Sequence, residues 1–504
     1  MDVDRSIDMN ALELLEQMRE KNKCGVYDEF GFTSYLEIQK FSEQIGTALA
    51  KYVSINMPVA VYMEKSVLAL ESFFGIHYAG GCYSFLNPEL PDERLKNIVT
   101  VLQTNIIITD GSFYERAVSL FPEFIILKVE ELRKFPCDYE VLQAIRSKKI
   151  DTDPLYINFT SGSTGLPKGV VVSHRSVLDF ISYFTEIFHI TGEDTLANQA
   201  PLDFDVSVKD IYSALKTGAN LVLIPRAYFS NPMKLMDMLV DYKVTTMIWA
   251  VSALCLISTF HGLDYKPLEH VNKVMFSGEV MPMKHLKSWM EHLTQATFVN
   301  LYGPTEITCN CTYHILDRER EYDKIPIGKA FPNEDVFLLD ESNRRIDEPF
   351  KMGEICVRGS ELALGYFNNS LETNKKFVQN PSQKNYIDLI YRTGDLGYFN
   401  EQNEFFFSGR KDFQIKYMGH RIELEEIERA IHDIEGISRC CVIFLEEKSR
   451  LVAFYIGNKS EVEIRQILKE HLPIYMIPTK WISISEFPLN KNGKIDRKAL
   501  GGMI

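Results

Sequence analysis

Residues 158–169 read NFTSGSTGLPKG and follow directly on the apolar run PLYIN. Four hydroxyls (Thr160, Ser161, Ser163, Thr164) and glycines at 162, 165 and 169 crowd around one cation, Lys168. Such a loop offers an oxyanion a nest of backbone N–H groups, hydroxyl donors and a positive charge, and glycine lets the backbone come close. The stretch departs from the G-x-x-x-x-G-K-[ST] phosphate loop, because Lys168 follows Pro167 and precedes Gly169. On composition alone it is either a phosphate grip or an ordinary Gly/Ser surface loop.

Three further stretches carry chemistry. In YGPTE (302–306), Tyr302 can stack on a purine, Thr305 can meet a phosphate, and the hard oxygens of Glu306 suit Mg2+. The same residues also suit a tight turn with a capping Thr-Glu pair. YRTGDLG (391–397) sets Asp395 between glycines, where a carboxylate can grip vicinal hydroxyls or simply shape a turn. NKNGKIDRK (490–498) puts Lys494 on a polar glycine turn, readable also as a solvated basic tail.

The elements that must position these residues alternate along the chain. ANLVLIP (219–225), VTTMIWA (244–250), KVMFSGE (273–279) and TFVNLYG (297–303) read as strands, and PMKLMDMLVDYK (232–243) as an amphipathic helix. Short apolar strands separated by helical patterns predict βαβ units with buried parallel sheets. The segment KSVLALESFFGIHYAGGCY repeats the helix-then-glycine pattern. Near residue 409 charge and glycine mix in GRKDFQIKYMGHRIE. Ile422, Leu424, Ile427, Ala430, Ile431 and Ile434 then recur at helical spacing up to Gly436. A hairpin-like pair (SRCCVIFLEE, RLVAFYIG), a helix (EVEIRQILKEHL) and a strand (WISISEF) complete a small α+β unit. The expected organisation is a large α/β body over 1–408 and a small mobile α+β domain over 409–504, hinged near 410–412.

Bulk properties exclude several classes. With 504 residues, 45% hydrophobic and 25% charged, the chain can bury large cores. A net charge of −14 argues against nucleic acid as a partner. From Gly409 onward there are 16 Lys and Arg against 14 Asp and Glu, a balance of +2, which leaves −16 for residues 1–408. The basic C-terminal piece could dock an acidic partner. No signal peptide or bilayer-spanning run is visible, and nine cysteines without regular spacing read as reduced thiols, so a cytoplasmic protein with no membrane insertion is expected.

Taken in order, FTSYLEIQ, YINFTSGSTGLPKGVVVSH, FDVSV, NLYGPTE, GEICVRGSELALGYFNN, YRTGDLGYF, GRKDFQIKYMGHRIELEEIE, LPIYMIP and NGKIDRK resemble the adenylate-forming superfamily over nearly the whole chain. That superfamily includes acyl-CoA synthetases, firefly-type luciferases and nonribosomal-peptide adenylation domains. NQAPLDFDVSVKDIY, SGEVMP and an end just beyond NGKIDRK look like the D-alanine–D-alanyl carrier protein ligases and stand-alone adenylation domains. The resemblance implies ATP and Mg2+ as cofactors, an amino-acid substrate, and an acyl or peptidyl carrier protein whose phosphopantetheine thiol takes the acyl group. That carrier is expected to be a separate chain, since none follows Ile504. It further implies Lys494 as a charge clamp at the substrate carboxylate and α-phosphate. Gly278, Glu279 and Tyr302 would flank adenine, Asn300 would read its amine, and Asp395 with Arg410 would hold the ribose. Asp412 matches the hinge, and Gly419 the glycine lining the thiol's path.

The family's pocket positions fall on Asp205, Val206, Lys209, Ala250, Met275, Ser277, Leu301, Cys309, Asn310 and Lys494. Asp205 matches the partner of a substrate α-ammonium, and a partly buried ammonium needs such a carboxylate to offset lost hydration. D-Alanine ligases usually carry cysteine where Ser277 stands and an apolar residue, often Met, where Lys209 stands. An inward Lys209 suits an acidic or other polar side chain. A Lys209 that snorkels to solvent leaves room for a small amino acid, and the reading leans to that small, D-alanine-like substrate. An acyl- or aryl-CoA synthetase and a non-catalytic nucleotide-binding relic are the rival classes.

Overall fold

The computed structural model describes residues 10–20, 23–162, 166–489 and 495–504. The chain forms two compact units: Met1–Asn87, Leu102–Asn158 and Gly169–Lys411 make the first, and Pro88–Val101, Phe159–Lys168 and Asp412–Ile504 the second. The later break thus follows Lys411, and two short earlier segments group with the second unit, which a single boundary after residue 408 does not provide for.

The first unit is built on extensive sheets. A nine-stranded sheet runs in the order Lys329–Ala330, Thr312–Ile315, Thr297–Tyr302, Lys273–Ser277, Thr246–Ala250, Thr195–Asn198, Asn220–Leu223, Gly25–Asp28, Gly31–Ser34. Its central pairs, from Thr297–Tyr302 to Gly25–Asp28, are parallel. Successive side chains feed two cores. Ile248, Met275 and Val299 join one, while Trp249, Val274, Phe276 and Phe298 join the other. A strand buried on both faces has to be apolar throughout, which is why these segments are continuous apolar runs. A seven-stranded sheet is centred on Pro154–Thr160, Cys82–Leu86 and Pro58–Tyr62, and a mostly antiparallel five-stranded sheet carries Leu389–Phe399 and Phe405–Arg410.

The second unit holds the hairpin Gln414–Tyr417/His420–Glu423 and a three-stranded sheet of Ile437–Leu445, Arg450–Gly457 and Lys480–Ser483. Ile422, counted above with the helix, lies on the hairpin strand, and the helix is Leu424–His432. Period-2 and period-3.6 patterns coincide over so short a run, and the strand's pairing with Gln414–Tyr417 decides between them. Leu424, Ile427 and Ile431 point into a common core with Val442, Leu451, Ile464 and Leu468. Ile427 has no exposed surface, so Ile427→Ala should destabilise this unit by about 2–5 kcal/mol, read by chemical denaturation. A loss below about 1 kcal/mol would mean that the core closes around the gap.

Candidate functional site

Within the first unit, the register of three parallel strands brings three of the expected pocket residues side by side. Ala250 stands opposite Ser277 and Ser277 opposite Leu301, all at the carboxyl ends of their strands. Met275 lies one step deeper, fully buried, on the same face as Ser277. Carboxyl ends of parallel strands are where α/β sheets bind ligands.

A second set of expected pocket residues comes from the helix Val206–Thr217 and its entry residue Asp205. Asp205 is buried and its carboxylate makes no helix-capping bond. Lys209 falls one turn further, on the same helical face as Asp205. It has no exposed surface, and its Nζ donates to Asn310 Oδ1 at 2.6 Å. Burial pulls the Lys209 ammonium below its usual range, while Cys309, Asp205 and Asp210 push the other way. The same dryness lifts Asp210 to about 7, against the Asn198 amide, Lys209 and Lys65. The snorkelling side chain on which the small-substrate reading rested is therefore not observed. Asn310, from a segment a hundred residues on, holds the lysine inside.

That segment is a tight reversal. A Cβ on Gly303 would lie 2.5 Å from the Asn310 Cα and 2.8 Å from the Cys309 carbonyl, so only glycine permits the fold-back. Thr308 and Cys309 take positive φ of 40° and 78°. They are fixed by Thr308 Oγ1 donating to the Glu361 carbonyl (2.7 Å), Cys309 Sγ donating to the Asp205 carbonyl (3.0 Å) and Cys311 N donating to the Tyr302 carbonyl (2.8 Å). The reversal thereby brings Cys309 and Asn310 to Asp205 and Lys209. Val206, half-buried, opens the helix beside them.

The nucleotide-type residues also sit in this unit. Tyr302 donates its hydroxyl to Asp395 Oδ2 at 2.5 Å, and Arg410 Nη1 donates to Asp395 Oδ1 at 2.5 Å. Asp395 and Arg410 are paired across neighbouring strands, so backbone register delivers the ion pair. Asn300 donates to the Pro326 carbonyl at 2.7 Å, and Gly278, with φ of 96°, turns the chain beyond Ser277 into half-buried Glu279. Glu306, wholly buried in a short 3-10 turn with Thr305, accepts the Tyr366 hydroxyl on Oε1 at 2.6 Å. Among the described residues no group of three His, Cys, Asp or Glu could hold a metal. One carboxylate of hard oxygens still fits Mg2+, which keeps water and substrate phosphates as its other ligands. Glu306 is the residue that would supply that carboxylate.

In the second unit the opening loop follows the strand Pro154–Thr160. The Thr160 hydroxyl is buried without a partner, Ser161 Oγ donates to the Arg421 carbonyl at 2.8 Å, and Lys168, buried, begins the next strand. A Cβ on Gly162 would sit 2.0 Å from the Leu166 carbonyl. Gly419, φ 78°, closes the 414–423 hairpin, and exposed Asp412 accepts the Gln414 N–H at 3.3 Å. Ser163, Thr164 and Lys494 lie outside the described residues.

The sequence reading missed Tyr366 on Glu306, and also missed Gln199, whose Oε1 accepts the Ala250 N–H at 3.2 Å. Tyr366 sits in the quoted GEICVRGSELALGYFNN, but nothing in its spacing points to a residue sixty positions earlier. Also missed were Tyr156 and Asn158, buried with unpartnered oxygens on one face of their strand. The buried carboxyls of Glu334 and Glu361 went unnoticed too. Glu334 Oε1 accepts the Glu361 N–H at 2.9 Å, and neither Glu361 oxygen has a partner.

Two comparisons of sequence and one of structure place the chain. Residues 16–367 match the family model for AMP-binding enzymes and residues 426–494 that for the AMP-binding enzyme C-terminal domain. The chain is 31% identical to tyrocidine synthase 3 of Brevibacillus parabrevis over 94% of its own length, but it spans only 7% of that protein. It is 29% identical to a D-alanine–D-alanyl carrier protein ligase of Lacticaseibacillus casei, covering 93% of each chain. A solved nonribosomal-peptide-synthetase protein containing adenylation and carrier domains, holo-PA1221, superposes with a TM-score of 0.84 at 25% identity, over 98% of this chain and 84% of that one.

Burial raises both the Glu334 and the Glu361 carboxyl above the usual range. A carboxyl raised by folding holds its proton in the folded state, so its favourable contribution is complete below the ordinary carboxylate value and is lost as pH rises above it. Glu361→Gln should therefore gain stability over the parent at about pH 8 and little at about pH 4. Thermal unfolding at both values checks this, and an equal change at both would show Glu361 indifferent to its proton.

Proposed function

This chain belongs to the AMP-binding enzyme family, and from that premise we propose that it activates an α-amino acid with ATP and passes it to a carrier-protein thiol. In the first half-reaction a substrate carboxylate oxygen bonds to the α-phosphorus as the bond to the departing pyrophosphate breaks. In the second, a phosphopantetheine sulfur bonds to the acyl carbon, AMP leaves with the carbon–oxygen electron pair, and the thiol proton goes to solvent. The observation that supports an amino acid over a simple acid is Asp205, a buried carboxylate at the entry of the helix against which Cys309 and Asn310 fold. An α-ammonium brings further positive charge to a buried carboxylate, which a fatty or aryl acid does not.

The residues of the first unit have distinct proposed tasks. Asp205 orients the α-ammonium and thereby the carboxylate. The Asp395–Arg410–Tyr302 set holds the ribose end of the nucleotide, with Gly278, Glu279 and Asn300 at the base. Mg2+, when bound at Glu306, would neutralise phosphate charge. The roles of Lys494, of the phosphate loop, and of Asp412 and Gly419 as hinge and thiol path remain proposals from the sequence pattern. Fully buried Lys209 favours a side chain that accepts a hydrogen bond, acidic or amide-like, over the bare methyl group of D-alanine.

ATP–pyrophosphate exchange over a panel of D- and L-amino acids and simple carboxylic acids is the test. Exchange should require an α-amino acid, and Asp205→Ala should lower kcat/KM by about two orders of magnitude or more. Exchange with a simple acid and with no amino acid would overturn the reading. Lys209→Met should weaken acidic and amide substrates by about tenfold or more and leave alanine within about threefold. Indifference of every substrate would place Lys209 outside the recognition surface.

A further inference from the structure

Lys65 stands just beyond the strand Pro58–Tyr62. The residue is half-buried, and its ammonium group is ringed by oxygens of one short segment. Nζ donates to the Asn198 carbonyl at 3.1 Å, Asn198 Oδ1 at 3.1 Å, the Gln199 carbonyl at 3.2 Å and the Ala200 carbonyl at 3.4 Å. The Asn198 carbonyl, at the strand's end, also accepts the Ile224 N–H at 3.1 Å, whereas the Gln199 and Ala200 carbonyls lie beyond the strand, where backbone acceptors need partners of another kind. The segment 198–200 reaches both sets of expected pocket residues. Gln199 Oε1 accepts the N–H of Ala250 on the strand side. Asn198, whose Oδ1 is taken by Lys65, turns its Nδ2 to Asp210 Oδ2 at 2.9 Å on the helix side. Five residues after Ala200 comes Asp205 itself.

We propose that Lys65 is a positioning residue for amino-acid binding: it locks the 198–200 carbonyls and so fixes Asp205 and Ala250 relative to each other. The role rests on the proposed amino-acid activation for its consequence, though not for its geometry. The charge gathers three carbonyls, the Asn198 amide is forced into one orientation, and that orientation commits its N–H to Asp210 beside Lys209. An uncharged side chain of the same length would fill the space and release all of it.

Lys65→Met and Lys65→Arg separate charge from bulk. In the Met variant the amino-acid KM should rise about tenfold, with kcat and the ATP KM within about threefold, and Arg should restore most of the loss. Gln199→Leu, which cuts only the tie to Ala250, should raise the amino-acid KM in the same selective way and serves if the Met variant fails to fold. Hydrogen–deuterium exchange needs no substrate: amides of 198–205 should exchange faster in the Met variant than in the parent or the Arg variant. Unchanged exchange over 198–205, or a Met variant that loses kcat with both KM values intact, would overturn the role of Lys65. A parent protein that shows no amino-acid-dependent pyrophosphate exchange would overturn the proposed activity alone, and the amide exchange would still decide for or against the clamp.

Discussion

A parallel sheet buried on both faces has one place to do polar chemistry, the edge where its strands end. Thr246–Ala250, Lys273–Ser277 and Thr297–Leu301 are paired residue by residue along their length, and the side chains between are needed by two cores. Polar groups therefore collect beyond the carboxyl ends, and the chain has to be bent back to supply more of them. Gly303 makes that bend possible. It returns Cys309 and Asn310 against the helix that begins after Asp205, so residues far apart in sequence are joined by hydrogen bonds.

Charge buried at such an edge has to be answered. Asp205, Lys209, Asp210 and Lys65 follow one another with alternating sign, and burial draws the Lys65 ammonium down to about 7 while lifting Asp210 to about 7. Opposite charge on each neighbour resists those shifts. Such sets add little to stability over an apolar core of equal volume, and removing a single member is costly. What they provide here is geometry. A cation with three carbonyls and an amide around it tolerates few arrangements, so the segments that it ties together are held in a fixed relation.

How much of this could be read from the residues follows from the range of each interaction. The strands 246–250, 273–277 and 297–302 announce themselves through local composition, and the shared helical face of Asp205 and Lys209 follows from a four-residue spacing. The order of motifs carried the family. The orientation of Lys209 was not legible, because its partner Asn310 is set by the Gly303 reversal and not by neighbours on the helix. Lys65 was invisible for the same reason: its acceptors lie 133 positions away or further, and three of the four are backbone oxygens, which have no sequence signature. Ile422 was misassigned where two periodicities overlap and strand pairing decides.

The strained reversal at Thr308 and Cys309 then has a physical purpose. Positive φ at two successive non-glycine residues costs of the order of 1–3 kcal/mol each and persists only where surrounding bonds over-determine it. Here four anchors do so: Glu361 in a turn, Tyr302 on a strand, and Asp205 and Lys209 at the start of one helix. Relaxing the loop would strip a hydrogen bond from each. Because Lys209 is itself one of those anchors, the proposed recognition and the strain share a single bond, Lys209 to Asn310. A substrate acceptor that joins Lys209 need not displace Asn310, since an ammonium has three donors and can hold both. The loop can thus keep its conformation while the pocket fills, which is the condition for binding energy to go into orientation and not into rebuilding the site.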